Sequence, residues 1–145
     1  MKDLRPILLV EDDDLDAKIL KRALGDLNIK NSVIRAENGI DGLEMLKECE
    51  KPPYLIFLDL NMPKMNGLEF LKKAKEDPKL KSIPVVVLTT SDSDDDINIS
   101  FELGASGFMI KSSDFDQFVQ TIKKIEEYWK TSKLPYRQGV LVSQS

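Results

Sequence analysis

Five short, almost wholly apolar runs recur along the chain, and amphipathic stretches separate them. The runs are Ile7 to Val10, Ser32 to Ala36, Tyr54 to Leu58, Val85 to Leu88 and Phe108 to Ile110. Runs of three to five residues are too short for helices and suit buried strands. Between them, apolar residues fall at helical spacing. Leu15, Ile19, Ala23, Leu24 and Leu27 mark a helix over 15–27. After an Asn38-Gly39 turn, Ile40, Leu43 and Leu46 mark a second, and Leu68, Leu71 and Ala74 a third. Ser113 is the expected cap of a last helix carrying Phe115, Phe118, Val119, Ile122, Ile125 and Trp129. In the fourth stretch Ile97, Ile99, Phe101 and Leu103 alternate as a strand would. The acids Asp92, Asp94, Asp95 and Asp96 before them, and Gly104 after, predict a helix instead.

Five strand–helix units predict an α/β fold: a doubly wound, five-stranded parallel sheet, flavodoxin-like, in the order 2-1-3-4-5. At 145 residues the chain has room for one such domain, over 1–130, and a tail over 131–145 with no separate output domain. A formal charge of −4 argues against non-specific nucleic-acid binding. No apolar run approaches the ~18 residues of a membrane span, and the start lacks a signal-like segment, so a cytoplasmic location is expected. Histidine is absent, which excludes a Ser-His-Asp triad, a Cys-His pair and a His-containing zinc site. Cys49 is the one cysteine and has no partner within the chain for a disulfide.

In a sheet of this order, ligands bind beyond the carboxyl ends of the strands. Glu11, Asp12 and Asp13 follow the first strand, Asp59 follows the third, Thr89 ends the fourth and Lys111 follows the fifth. The topology therefore gathers carboxylates, a hydroxyl and an ammonium in one crevice. Glu11, Asp12 and Asp59 together bring about −3 of charge, which is self-repelling unless compensated. A hard divalent cation suits such oxygen donors, and with Lys111 it balances the sum. The acids of 92–96 read as helix N-terminal charge rather than a second metal site.

These residues resemble the marks of a receiver domain from two-component response regulators. Leu9-Val10-Glu11-Asp12-Asp13 is similar to the family's acidic pair. Leu58-Asp59-Leu60-Asn61-Met62-Pro63-Lys64-Met65-Asn66-Gly67 resembles the phosphoacceptor segment. Pro84 to Thr89 resembles the strand ending in the switch hydroxyl, and Gly104 to Lys111 the switch aromatic and lysine. Three positions depart from the pattern: Ser112 stands where proline usually follows the lysine, Glu11 where aspartate is common, and Phe108 where tyrosine is frequent. The last helix, through Glu126-Glu127-Tyr128-Trp129, is similar to that of small stand-alone regulators that serve phytochrome-type sensor kinases.

The resemblance implies that Asp59 accepts a phosphoryl group from a sensor histidine kinase. Mg²⁺ would be held by Asp12, Asp59 and the Asn61 carbonyl, with Glu11 in support. Lys111 and Thr89 would bind the phosphoryl group, and Phe108 would follow Thr89 inward. The result is a phosphorelay switch rather than an enzyme. Two rivals are an aspartyl-nucleophile phosphatase and a receiver-like module that is never phosphorylated. Asn61, an amide where the phosphatase wants an acid, weighs against the first; the full set of acids, hydroxyl and lysine weighs against the second. The four alternating apolar residues of helix 4 cannot all face inward, and Tyr128, Trp129 and Tyr136 lie at or beyond the end of the last helix. The resemblance adds that many receivers dimerise through this face, so a homodimer through helix 4, strand 5 and the last helix, strengthened by phosphorylation, is expected.

Overall fold

Every residue of the three central strands is buried, and alternate side chains serve opposite faces. The computed structural model describes residues 5–62, 65–131, 133–135 and 141–143. Its elements are β1 (Ile7–Val10), α1 (Asp14–Asp26), β2 (Val33–Ala36), α2 (Gly39–Glu48), β3 (Leu55–Leu58), α3 (Gly67–Glu76), β4 (Val85–Thr89), α4 (Asp94–Glu102), β5 (Gly107–Ile110) and α5 (Phe115–Thr131). The strands are parallel and ordered β2-β1-β3-β4-β5, as the repeating units require. Two further short strands, β6 (Lys133–Pro135) and β7 (Leu141–Ser143), pair antiparallel.

Ile7, Leu9, Leu55, Phe57, Val86 and Leu88 pack under α1 and α5, against Leu20, Phe118 and Ile122. Leu8, Val10, Ile56, Leu58, Val85 and Val87 pack on the opposite face, against Leu43, Phe70 and Leu71 of α2 and α3. Each large aliphatic side chain so buried stabilises the fold by about 1.5–3 kcal/mol. Among the described residues no helix is long and apolar enough to cross a membrane.

The helix ends follow local chemistry. Asp13 caps α1 by accepting from the Leu15 N–H, Asn38 caps α2 through Asp41, and Asn66 caps α3 through Glu69. Asn38-Gly39 is thus a helix start and not a free-standing turn, and Gly39 is needed because a Cβ there would meet the Met65 carbonyl oxygen at 2.7 Å. Residues 94–102 are helical, with Asp94, Asp95 and Asp96 in the first turn. Gly104, at φ +104°, closes the C-terminal end, and Ala105 N–H returns to Ser100 O at 2.9 Å. The cap of α5 is Asp114 rather than Ser113: its Oδ1 accepts from the Asp116 and Gln117 N–H groups, because it is Asp114 that directly precedes the first helical residue.

Candidate functional site

The sheet ladder extends one residue beyond the strands. Glu11 N–H donates to Ala36 O at 2.9 Å, Asp59 N–H to Val10 O at 3.0 Å, and Lys111 N–H to Thr89 O at 2.8 Å. Three charged residues are thereby fixed on rigid backbone at one edge. Carboxylate oxygens of Glu11, Asp12 and Asp59 lie within 4.8 Å of one another. Glu11 and Asp59 are buried and Asp12 is exposed. The Lys111 ammonium donates to Glu11 Oε1 at 2.6 Å and stands 3.8 Å from Asp59 Oδ2.

Burial pushes the Glu11 carboxyl up to about 7, and the nearby Asp59 adds to the push, while Lys111 opposes it. Burial pulls the Lys111 ammonium down, but its bonds to Glu11 and Asp16 and the attraction of Asp59 outweigh that, so its net shift is upward. All three carboxylates are hard oxygen donors, and their crowding is what a divalent cation relieves. The chemistry of the donor set therefore fits such an ion.

Asn61 and Thr89 lie at the same edge, and Phe108 lies short of it. The Asn61 N–H points to Asp59 Oδ1 at 3.5 Å. Thr89 is fully buried, and its Oγ1 accepts from the Ser91 N–H at 3.4 Å. Phe108 pairs in register with Val87, two residues short of the edge, and is half-buried against the α2–α3 core. Among the described residues no peptide bond is cis, Lys111–Ser112 included. The Ser112 hydroxyl accepts from the Asp114 N–H at 3.1 Å, which the usual proline could not do.

Two site neighbours escaped the sequence reading. Asp16 Oδ2 takes a second Lys111 bond at 2.9 Å. Asp16 precedes Leu20 by four positions and so shares its side of α1, a signal masked by the acid run around it. Arg35, from β2, donates to the Glu11 carbonyl at 3.0 Å and to Asp14 Oδ1 at 2.6 Å, tying down the β1–α1 loop. This bond holds the exposed Asp14 carboxyl below its usual range. Among the residues expected on the outer face, Trp129 belongs instead to the core: it is 8% exposed, packed in the α1–α5 layer and edge-on to the 59%-exposed Tyr128. Of the four alternating apolar residues at α4, Ile99 and Phe101 are exposed and Ile97 and Leu103 half-buried, because the helix turns Ser100 inward. Tyr136 lies outside the described residues.

A model of the response regulator receiver domain matches residues 7–123. Response regulator Rcp1 of Synechocystis sp. is 38% identical over 135 residues, covering 89% of this chain and 92% of Rcp1. The crystal structure of the phosphorylated cyanobacterial phytochrome response regulator RcpA superposes with a TM-score of 0.85 at 38% identity, over 92% of this chain and 100% of that one. The Mn²⁺-bound form of Rcp1 superposes with a TM-score of 0.81 at 36% identity, over 91% of this chain and 99% of that one.

Proposed function

The chain belongs to the response regulator receiver family, and on that premise we propose that Asp59 is its phosphoacceptor and that a sensor histidine kinase is the donor. The observation that carries the reading is the meeting of Lys111 with Glu11, Asp12 and Asp59 at one sheet edge. An oxygen of the Asp59 carboxylate forms the P–O bond as the P–N bond of the donor phosphohistidine breaks, and the bonding pair leaves with the nitrogen. Asp12, Asp59 and the Asn61 carbonyl would hold Mg²⁺, with Glu11 supporting. When bound, the ion neutralises charge on the transferring group. Lys111 lies beside Asp59, where its ammonium bonds a phosphoryl oxygen. The buried Thr89 hydroxyl takes another, leaving the Ser91 N–H, and Phe108 packs behind it. The chain acts as a switch and not as an enzyme on outside substrates. The likeness to phytochrome response regulators favours a phytochrome-type kinase and a cytoplasmic setting.

Phosphorylation strengthens a homodimer through α4, β5 and α5. The exposed Phe101, Ile110 and Tyr128 supply its apolar contacts. Intact mass after incubation with Mg²⁺ and acetyl phosphate tests the phosphoacceptor: wild type gains one phosphoryl group and Asp59→Asn gains none. Equal labelling of both would overturn the reading. Steady phosphate release would mark a phosphatase, and an unaltered wild type an inert module. Sedimentation with and without a phosphoryl mimic tests the dimer. Phe101→Glu with Ile110→Glu should leave a monomer, and a wild type that is monomeric in both states rules the dimer out.

A further inference from the structure

Lys111 carries three N–H donors on its ammonium. Two are engaged, by Glu11 Oε1 at 2.6 Å and by Asp16 Oδ2 at 2.9 Å, while Asp59 Oδ2 stands beyond hydrogen-bond range at 3.8 Å. Asp16 is no member of the Glu11, Asp12 and Asp59 cluster. It comes from the first turn of α1, and its side chain is 32% exposed, so its pull on the ammonium is directed from the α1 side. A cavity of about 40 Å³ is lined by Glu11, Asp16, Asp59 and Lys111 among others. An ammonium bonded directly to Asp59 would occupy a lone pair of the attacking carboxylate and weaken it as a nucleophile.

We propose that Asp16 is a positioning residue that holds the Lys111 ammonium off Asp59, keeping the Asp59 carboxylate free to attack phosphorus and the ammonium ready for the phosphoryl oxygens that follow. This inference rests on the phosphoacceptor reading of Asp59. Asp16 itself exchanges no proton and touches no reacting atom. An acid that merely favoured the α1 N-terminus would act whether or not Lys111 were present, and that difference is measurable.

The test is a double-mutant cycle on the full chain, read as the rate of phosphorylation by acetyl phosphate at saturating Mg²⁺. Asp16→Ala should slow the rate about tenfold, the low end of what is lost when a group orienting a metal-site residue is removed. Mg²⁺ affinity should stay within twofold of wild type. In a Lys111→Ala background the same substitution should change nothing, and Asp16→Glu should restore part of the rate. A second readout needs no phosphorylation: in a crystal structure of Asp16→Ala, Lys111 Nζ should close on Asp59 to hydrogen-bond distance. An unchanged rate, an equal loss in both backgrounds, or a retained 3.8 Å separation overturns the proposal. Failure of wild type to take up phosphate would instead bring down the phosphoacceptor reading, and this one with it.

Discussion

The Lys111 ammonium lies 3.8 Å from Asp59 Oδ2, close enough to share its field and too far to hydrogen-bond it. The nearer bond goes to Glu11, whose side chain is 3% exposed. Lys111 thus compensates a buried carboxylate in the metal-free protein as well as facing Asp59.

Lys111→Met should therefore destabilise the metal-free chain. Removing one partner of a buried ion pair costs about 3–5 kcal/mol, and the loss here should fall near 2–3 because Glu11 escapes by taking up a proton. The folded state then holds that proton more tightly than the unfolded chain, so stability of the variant should rise as pH falls from about 8 to about 6. Urea melts across that range check both the size and the slope.

Asp12 is the exposed member of the acidic cluster. Asp12→Ala should weaken Mg²⁺ binding strongly while moving metal-free stability by less than about 0.5 kcal/mol, as for other exposed sites. Calorimetric titration with the metal, beside metal-free melts, separates the two effects. A large gain in metal-free stability would show that its repulsion with Glu11 and Asp59 matters more than its exposure suggests.

Gly67 is required by close approach. A Cβ there would press on the Asp59 carbonyl oxygen and lie 2.6 Å from Leu60 Cα, both backbone atoms that cannot swing aside. Gly67→Ala should cost about 1–3 kcal/mol, the range for overpacking, and should slow phosphorylation by displacing Asp59. Thermal unfolding together with acetyl phosphate labelling checks this.

Lys75 donates to the carbonyls of Lys81 at 3.0 Å and Ile83 at 2.7 Å, and burial lowers its ammonium to about 8. Between pH 8 and 10.5 the unfolded chain keeps a proton that the folded state has released, so this residue makes stability rise with pH there. After discount for the part of the side chain that meets water, the rise should be about 1–2 kcal/mol. The difference between wild type and Lys75→Met, followed by chemical denaturation over that window, isolates it; parallel curves would contradict the assignment.

Strand positions, the sheet order and the edge that collects Glu11, Asp12, Asp59, Thr89 and Lys111 were legible from the sequence alone. Apolar runs alternating with helical periodicity admit few right-handed parallel arrangements, and the residue after each strand must then sit at one edge. The helical state of 94–102 was legible too, because its acids and Gly104 outvoted an alternating pattern. Only the tertiary structure decided which neighbour each charge meets. Asp16 and Lys111 are 95 positions apart, Arg35 and Asp14 are 21 apart, and no local pattern encodes such pairings. Burial was likewise decided by packing: Trp129 enters the core while Tyr128 beside it stays 59% exposed, because one helical step of about 100° separates a side chain on the sheet from one in water.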